Sequence, residues 1–201
     1  MKILNLYAGI GGNRIAWGDS HEVTAVELDP DIAKIYQDTF PQDKVVISDA
    51  HQFLEDNFQD FDFIWSSPPC PTHSRVRFAT QQQNKPIYVD MKLYQEILFL
   101  QSYFKGLWVV ENVISYYKPL IAPQTMMGHF IWSNVMLPPL PLTTRGHMKS
   151  AQETAKIKGL DFSKIKNVDK TKVVRNAVDS ALSAHIFNHV INPWQPQPQM
   201  F

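Results

Sequence analysis

The sequence predicts an α/β domain built on a Rossmann-like, doubly wound, mostly parallel sheet. Five short, largely apolar segments have the composition of buried strands, and helix-like segments lie between them. Strand and helix patterns that alternate in this way favour a parallel sheet covered by helices on both faces. Ligands of such sheets bind beyond the carboxyl ends of the strands, so we expect functional residues to follow the strands directly.

The predicted elements follow one another through the first half of the chain. The strands are, in order, KILNLYAG, EVTAVELD, KVVISDA, FDFIWSSPP and LWVVENV. The helices between them are NRIAWGDS, PDIAKIYQDTF, HQFLEDNF and VDMKLYQEILFLQSYF. Pro30 stands at a favoured first-turn position of the second helix, and Asp29 before it is expected to cap that helix.

Composition indicates one globular domain with a full core. The chain has 201 residues, of which 44% are hydrophobic and 12% aromatic. No apolar run approaches the length needed to span a bilayer, so no membrane partner is expected. Cys70 is the single cysteine, which excludes an internal disulfide and a site built from several thiolates, and an unpaired thiol favours the cytoplasm.

Positive charge is concentrated late in the chain. Basic and acidic residues balance at 19 each over the whole sequence, whereas residues 142–175 hold nine basic and three acidic residues. The basic residues of this stretch are Arg145, Lys149, Lys156, Lys158, Lys164, Lys166, Lys170, Lys172 and Arg175. They form either a solvated face or the electrostatic footprint of a polyanion.

A glycine-rich turn follows the first strand. Gly9, Gly11 and Gly12 allow a tight turn into a helix and let a cofactor approach without a Cβ in the way. The spacing is not the GxGxxG of a dinucleotide site, and a phosphate loop would need a Lys-Ser/Thr pair that is absent here. A simple strand-to-helix turn is an equally good interpretation of the glycines alone.

Carboxylates follow the second and third strands. Glu27 is placed to accept hydrogen bonds from the two hydroxyls of a ribose, and Asp49 could accept one from the exocyclic amine of an adenine. Asp49 has an alternative role as a helix cap. Glycines, Glu27 and Asp49 at three successive strand ends predict an adenosine-containing cofactor. S-adenosylmethionine suits the site better than a nucleotide because no phosphate-binding lysine accompanies it.

The fourth and fifth strands end in residues suited to covalent chemistry. Pro68 and Pro69 direct the chain out of the sheet, so Cys70 begins a loop over the predicted crevice; a buried, inert thiol is the alternative. Glu111, directly after an apolar run, could donate a proton, and Asn112 could orient it or contact a substrate. A solvent-facing strand-terminal acid is the alternative for Glu111.

These motifs together resemble those of the DNA cytosine-C5 methyltransferases. The matching stretches are YAGIGG, ELDP, SDA, SPPC, VDMKLYQEILFLQSYFKGLWVVENV and the late RNAVDSALSAHIF. The resemblance covers residues 3–113 almost continuously and returns at 175–190. The Pro-Pro-Cys and Glu-Asn-Val pair, in this order after a glycine-rich first turn, is its most specific part.

The resemblance implies a fold of the S-adenosylmethionine-dependent methyltransferase type and a covalent mechanism without a metal. Cys70 would attack carbon 6 of a cytosine flipped out of DNA, Glu111 would share a proton with N3, and carbon 5 would take the methyl group, leaving S-adenosylhomocysteine. The implied cofactor residues are Tyr7, Ala8, Gly9, Ile10, Gly11, Gly12, Glu27, Leu28, Asp49, Ala50, Pro69, Asn176 and Val178. The implied substrate contacts are Pro68, Ser74, Arg75, Arg77 and His129, with the two arginines in a closing loop from Pro71 to Pro86 as phosphate contacts.

The sequence departs from the family pattern at several positions. Pro71 stands where glutamine is common, His73 where an aromatic residue is common, and Arg175 where a glycine usually precedes Asn176. The arginine-rich motif that helps to hold cytosine is not evident: the candidate stretch MMGHFIWSNV contains no arginine, which leaves His129 as a substitute.

We therefore predict three parts with one small recognition element. Residues 1–137 form the catalytic core, residues 138–174 a reduced basic DNA-recognition segment, and residues 175–201 a helix that returns to the core plus a Pro-rich tail. The predicted partners are DNA and a further chain that supplies sequence specificity, in a bacterial or phage-infected cell. Methylation of RNA and a non-catalytic DNA-binding subunit are the competing interpretations.

Overall fold

The fold is a seven-stranded sheet with helices on both faces, which confirms the predicted α/β class. The computed structural model describes residues 1–79, 85–140 and 149–192. Its strands are β1 Lys2–Leu6, β2 Glu22–Glu27, β3 Lys44–Ile47, β4 Phe63–Ser66, β5 Leu107–Val113, β6 Gln124–Met126 and β7 His129–Ser133. The first five are the predicted strands, and the hairpin of β6 and β7 extends the sheet beyond them.

The strand order places a ligand crevice beside β1. The order is β3-β2-β1-β4-β5-β7-β6, and β7 runs antiparallel to the other six described strands. Leu6, the last residue of β1, pairs with Val26 on one side and Ser66 on the other. The chain order reverses between β1 and β4, and such a switch point opens a crevice at the carboxyl ends of the strands.

The helices cover this sheet and connect its strands. They are α1 Pro30–Thr39, α2 Ala50–Asn57, α3 Arg75–Ala79, α4 Lys92–Tyr103, α5 Ala151–Ile157, α6 Lys170–Asn176 and α7 Ser180–Ile191. Asp29 caps α1 by accepting hydrogen bonds from the backbone N–H groups of Asp31 and Ile32, as predicted. None of the described helices is long and apolar enough to cross a membrane.

The length predicted for the helix after the glycine turn is wrong, because the observed helix is much shorter. Only a three-residue 3-10 helix, Arg14–Ala16, forms there. It ends at Trp17, whose N–H donates to the Arg14 carbonyl, and Gly18 follows with a φ of +71°. A left-handed residue at that point stops a helix from continuing.

Alternate residues of the strands pack into opposite cores. Leu4 and Ile64 pack with the apolar face of α4, whereas Ile3, Phe63 and Trp65 pack with α7 on the other face. The Trp17 indole stacks on Phe187 of α7, with ring centroids 5.5 Å apart. This pattern is the period-2 alternation of strands buried on both faces.

The late basic segment shares its core with the first half of the chain. Ile165 and Val174 pack in one apolar cluster with Ile10 of the glycine turn and Ile35 of α1. The described residues of this segment therefore pack directly against the predicted catalytic core.

Candidate active site

The glycine turn has one residue that faces open space and two that are needed for packing. A Cβ built on Gly9, where φ is +54°, would meet no atom within 4 Å. A Cβ on Gly11 would approach Phe40 to 2.4 Å, and one on Gly12 would approach the Val178 carbonyl oxygen to 2.5 Å. Room for a cofactor is therefore found at Gly9, while the structure supplies a packing reason for Gly11 and Gly12.

Glu27 closes this turn from the end of β2. Its Oε2 accepts a hydrogen bond from the Gly9 N–H at 2.9 Å, and its Oε1 accepts one from the Asp29 N–H at 3.0 Å. Leu28, the next residue, is 66% exposed. A half-buried carboxylate and a free apolar side chain thus stand at the rim of the crevice, where a ribose and an adenine need such groups.

Asp49 at the end of β3 is a helix cap, which was its alternative prediction. Its side chain accepts a hydrogen bond from the Gln52 N–H at 3.0 Å and lies 3.4 Å from Lys92 Nζ. The backbone hydrogen bond, with help from the lysine, lowers the pKa of Asp49. The capping leaves Asp49 ionised and about half exposed beside the crevice.

The side chains of the other predicted cofactor residues differ in burial. Ala8, Ile10 and Ala50 are buried, so they shape the turn through their backbone. Pro69 and Asn176 are exposed. The predicted cofactor roles of these residues stay predictions.

The late segment reaches the glycine turn because α6 and α7 are anchored there. Ser183 of α7 donates to the Asn13 carbonyl at 2.6 Å and accepts from Trp17 Nε1 at 3.0 Å. Lys158 Nζ donates to the carbonyls of Val174 and Arg175 at 3.0 and 3.1 Å, and to that of Ala177. These contacts place Ala177 and Val178 against Gly12. The cofactor roles of Asn176 and Val178 stay predictions.

Three lysines of the late segment are engaged within the chain. Besides Lys158, Lys164 Nζ donates to the Asp38 carbonyl at 3.0 Å, and Lys170 Nζ lies 4.7 Å from the centroid of the Phe162 ring. Contacts of the basic segment with nucleic acid phosphates stay a prediction. Arg145 lies outside the described residues.

The loop after β4 is tied to the end of β5. Asn112 Nδ2 donates to the Pro68 carbonyl at 2.9 Å, and its Oδ1 accepts from the Val113 N–H. Asn112 is 2% exposed. It therefore positions the Pro68-Pro69-Cys70 turn, which is neither of the two roles predicted for it.

Cys70 and Glu111 belong to neighbouring parts of the sheet: Cys70 lies in the loop after β4, and Glu111 lies within β5. Cys70 is half-buried, and burial raises the pKa of its thiol; the Glu111 carboxylate raises this pKa further. Glu111 is 7% exposed, and its Oε1 lies 3.7 Å from Nε2 of His129. The predicted nucleophile, acid and arginine substitute are therefore brought together.

His129 owes its position to a tight hairpin. The turn between β6 and β7 consists of Met127 and Gly128, with φ of 44° and 78°, the geometry favoured by two-residue hairpins. Nδ1 of His129 donates to the Met127 carbonyl at 3.1 Å, because a carbonyl oxygen only accepts. Nε2 is thereby directed to Glu111.

The loop after Cys70 is joined to residues 115–117. Ser74 forms a bridge with Ser115, and Arg75 Nε donates to the Ser115 carbonyl at 3.3 Å. His73 Nδ1 lies 2.6 Å from the Tyr117 hydroxyl, and burial lowers the pKa of this imidazole. His73, which replaces the aromatic residue common in the family, therefore has a hydrogen-bonding partner in Tyr117. This partner was not predicted from the sequence.

The remaining predicted loop contact, Arg77, also contacts the chain. Its Nη2 donates to the Lys85 carbonyl at 2.6 Å. Residues 80–84 of the predicted closing loop lie outside the described residues. Arg75 and Arg77 as phosphate contacts stay predictions.

Comparison with known proteins places these features in one family. A profile of the C-5 cytosine-specific DNA methylases matches residues 1–113, which contain the glycine turn, Glu27, Asp49, Cys70 and Glu111. The chain belongs to the C-5 cytosine-specific DNA methylase family. The remaining residues, 114–201, lie outside this match.

Three relatives of this methylase have low sequence identity to it, and each has a longer chain. A tRNA (cytosine(38)-C(5))-methyltransferase of Spodoptera frugiperda is 32% identical over 80 residues, which cover 37% of this chain and 24% of that protein. A crystal structure of a Spodoptera frugiperda DNMT2 mutant is 26% identical with a TM-score of 0.41, covering 56% of this chain and 35% of that one. An Escherichia coli structure, a putative DNA modification methyltransferase encoded within a prophage, is 22% identical with a TM-score of 0.41, covering 59% and 33%.

The methylase family implies S-adenosylmethionine, and the crevice fits it. Gly9 borders open space, Glu27 and Asp49 present carboxylates, and Leu28 presents an apolar side chain. Within residues 1–79, 85–140 and 149–192, no group of three or more His, Cys, Asp or Glu side chains could hold a metal ion.

A separate cavity of about 430 Å³ lies beside α1. Ile10, Arg14, Phe40 and Leu160 are among its lining residues, and neither Cys70 nor Glu111 lines it. This cavity belongs to the packing between α1 and the late segment, away from the Cys70 end of the methylase.

Glu96 is a buried residue of this methylase that was not predicted from the sequence. It is fully buried on α4, where it accepts hydrogen bonds from Tyr7, Ser66 and His51. A signal was present: Leu93, Ile97 and Leu100 mark the buried face of the helix, and Glu96 falls on that face. A carboxylate at such a position needs buried partners.

Proposed function

We propose that this protein is an S-adenosylmethionine-dependent methyltransferase that acts on carbon 5 of cytosine in DNA through a covalent Cys70 adduct. The observation that carries the proposal is the placement of Cys70 and Glu111 at two neighbouring parallel strands, whose ends are joined by the hydrogen bond from Asn112 to the Pro68 carbonyl. Cys70 follows β4, and Glu111 lies near the carboxyl end of β5, the parallel neighbour of β4. Folds of this kind bind ligands at the carboxyl ends of the strands.

The residues that would hold the methyl donor are those of the crevice. Gly9 would lie against it, Glu27 would accept from the ribose hydroxyls, Leu28 would contact the adenine, and Asp49 would accept from the adenine amine. Asn176 and Val178 would close this side from the late segment. Bound there, S-adenosylmethionine would supply an electrophilic methyl group.

Cys70 and Glu111 share the acid-base task. The charge of the Glu111 carboxylate raises the pKa of the Cys70 thiol, so a thiolate beside the charged carboxylate is disfavoured. The reactive form has the thiolate on Cys70 and the proton on Glu111. This form presents a nucleophile and an acid together, as addition to cytosine requires.

In the reaction, the Cys70 sulfur bonds to carbon 6 of cytosine. The displaced electron pair moves toward N3, which takes the Glu111 proton, and carbon 5 becomes enamine-like. After methylation of carbon 5, a base removes the proton from carbon 5, the carbon–sulfur bond breaks and the thiolate leaves. N3 returns its proton to Glu111, which restores both the neutral base and the acid. Attack on carbon 6 is impossible inside a stacked duplex, so the base must be flipped.

The surrounding contacts preorganise this pair. Asn112 fixes the Pro68 carbonyl two residues before the nucleophile, and His129 stands 3.7 Å from the acid. His73 and Ser74 both donate backbone N–H groups to the Cys70 carbonyl, which fixes the start of the loop. Fixed geometry of this kind contributes to rate because reacting groups need no rearrangement.

DNA is the proposed acceptor because the matching family is described as a DNA methylase family. RNA is the second candidate, supported by the name of the Spodoptera frugiperda relative, a tRNA (cytosine(38)-C(5))-methyltransferase. The chain spans 24% of the length of that relative. A partner chain that supplies specificity remains a prediction.

Transfer of a labelled methyl group tests the proposal. The chain is incubated with tritiated S-adenosylmethionine and either duplex DNA or transcribed tRNA, and each acid is then used as an unlabelled competitor of the other. Label on carbon 5 of cytosine in DNA, with weak competition from tRNA, is expected. Label on tRNA alone would support the RNA candidate, and cofactor binding without transfer to either acceptor would favour a non-catalytic subunit.

A further inference from the structure

Glu96 joins three parts of the cofactor crevice although it lies outside the crevice. Its Oε1 accepts from the Tyr7 hydroxyl at 2.5 Å and lies 3.0 Å from Nδ1 of His51, and its Oε2 accepts from the Ser66 hydroxyl at 2.6 Å. Its relative exposure is 0%. An ionised carboxylate only accepts hydrogen bonds, so all three partners are donors.

Each partner belongs to a different wall of the crevice. Tyr7 begins the glycine turn after β1, Ser66 ends β4 four residues before Cys70, and His51 lies in the first turn of α2, two residues after Asp49. One side chain on α4 therefore fixes the ends of two neighbouring strands and the helix that follows a third.

The contact with Tyr7 holds a residue in an unfavourable backbone conformation. Tyr7 has a φ of +54°, a left-handed value that side chains other than glycine, asparagine and aspartate seldom adopt. Such residues persist where surrounding structure fixes them, and they concentrate at functional sites. The Glu96 hydrogen bond supplies that fixation two residues before Gly9, the glycine that borders open space.

His51 adds a charge that depends on pH. Its hydrogen bond with Glu96 raises the pKa of the imidazole despite partial burial, so the protonated ring persists to higher pH. Lys92 opposes this effect, and the carboxylate of Asp49 supports it. The side chain is 28% exposed, which allows solvent protons to reach it.

We propose that Glu96 is a positioning residue for S-adenosylmethionine, which sets cofactor affinity by holding Tyr7, Ser66 and His51 without touching the ligand. The inference rests on the proposed function, because it concerns binding of that methyl donor. It adds that affinity falls as pH rises and His51 loses its proton, since the Glu96–His51 contact then changes from an ion pair to a neutral hydrogen bond.

Calorimetric binding of S-adenosylmethionine to the full chain tests the inference. Glu96→Gln keeps the shape but places an amide N–H against a donor, and we expect about tenfold or greater loss of affinity. Glu55→Gln is the matched control: the same change on the exposed face of α2 is expected to alter affinity less than about twofold. Circular dichroism and thermal melting establish that both variants are folded.

A second readout separates positioning from general destabilisation. Wild-type affinity is expected to decline from about pH 6 to about pH 9, and the decline should flatten in Glu96→Gln and in His51→Gln. Tyr7→Phe should weaken binding in the wild type but add little in the Glu96→Gln background, because both changes remove the same contact.

The outcomes distinguish this inference from the proposed function. A wild-type chain that binds the cofactor, with Glu96→Gln within about twofold of it, overturns the inference alone. If Glu96→Gln does not fold, Tyr7→Phe and Ser66→Ala are measured in its place. The inference alone is then overturned if both variants bind the cofactor within about twofold of the wild-type affinity. A folded wild-type chain that does not bind the cofactor overturns the inference and the proposed function together.

Discussion

At the scale of single residues, the environment of Cys70, the proposed nucleophile, keeps its thiol in the protonated form. Burial and the Glu111 carboxylate both raise the pKa of its thiol, so the thiol is protonated in the free protein at neutral pH. A resting thiol is protected from the oxidation that attacks exposed thiolates. Formation of the reactive thiolate is therefore disfavoured while the Glu111 carboxylate is charged.

Glu111→Gln tests this dependence without any substrate. Removing the carboxylate charge is expected to lower the pKa of the Cys70 thiol, while burial still keeps it above its ordinary value. The rate of iodoacetamide alkylation should therefore rise at lower pH in the variant than in the wild type. Because Cys70 is the single cysteine, the alkylation rate reports this thiol alone.

Glu22→Gln provides the control for that titration. Glu22 begins β2 and is exposed, at the opposite end of the strand from the crevice. Its pH profile should match the wild type. A Glu111→Gln profile that also matches the wild type would contradict the coupling of the two groups.

Methyl transfer by Glu111→Gln should fall by about 10²- to 10⁴-fold, the usual contribution of a general acid.

At the scale of elements, the glycine turn is shaped by parts of the chain far away in sequence. Gly11 is closely approached by Phe40 after α1, and Gly12 by Val178 before α7. The motif therefore serves the packing of α1 and the late segment as well as the crevice. Gly9 is the glycine of the three that borders open space.

Two alanine substitutions separate these roles. In Gly12→Ala, the new methyl group meets backbone atoms of Val178, and overpacking of this kind is expected to reduce the free energy of unfolding by about 1–3 kcal/mol. In Gly9→Ala the methyl group enters open space, with a strain of about 1–2 kcal/mol from its positive φ, but it occupies room that the cofactor needs.

Denaturant unfolding and calorimetry measure the two effects. Gly9→Ala should lose most of its S-adenosylmethionine affinity, whereas Gly12→Ala should retain affinity in proportion to its folded fraction. Unchanged affinity in Gly9→Ala would show that the open space beside Gly9 is not the cofactor site. Unchanged stability in Gly12→Ala would contradict the close packing of Val178.

The sequence allowed prediction of features that depend on residues close together along the chain. The five parallel strands, the cap at Asp29 and the order of Cys70 and Glu111 follow from local patterns and were predicted. Hydrogen bonds between residues far apart along the chain were not predicted. Tyr7 and Glu96 are 89 positions apart, and His73 and Tyr117 are 44 positions apart. Asn112 was singled out, but its bond to Pro68 depends on the register of β4 and β5.

At the scale of the whole molecule, positive charge is concentrated in the segment that we predict to recognise nucleic acid. Nine basic residues lie within 142–175, and three of the described ones, Lys158, Lys164 and Lys170, contact the chain itself. Lys156, Lys166 and Lys172 are exposed in the same segment. These three are the described lysines that we expect to meet nucleic acid phosphates.

The salt dependence of binding tests this expectation. Changing Lys156, Lys166 and Lys172 to glutamine should weaken DNA binding equally for different sequences, because phosphate contacts carry no base information. The slope of log K against log salt should decrease in magnitude by about 0.9 for each phosphate that a lysine no longer neutralises. An unchanged slope would remove this segment from the binding surface; Lys34→Gln, on the exposed face of α1, is the control.

Covalent trapping tests the central claim, a Cys70 adduct on cytosine, most directly. Duplex DNA that contains 5-fluorocytosine is incubated with the chain and S-adenosylmethionine, and the products are weighed by mass spectrometry. Fluorine cannot leave as a proton does, so the wild type is expected to form one stable adduct, and Cys70→Ala none while still binding cofactor. An adduct that persists in Cys70→Ala, or no adduct from a wild-type chain that binds both cofactor and DNA, would contradict the account.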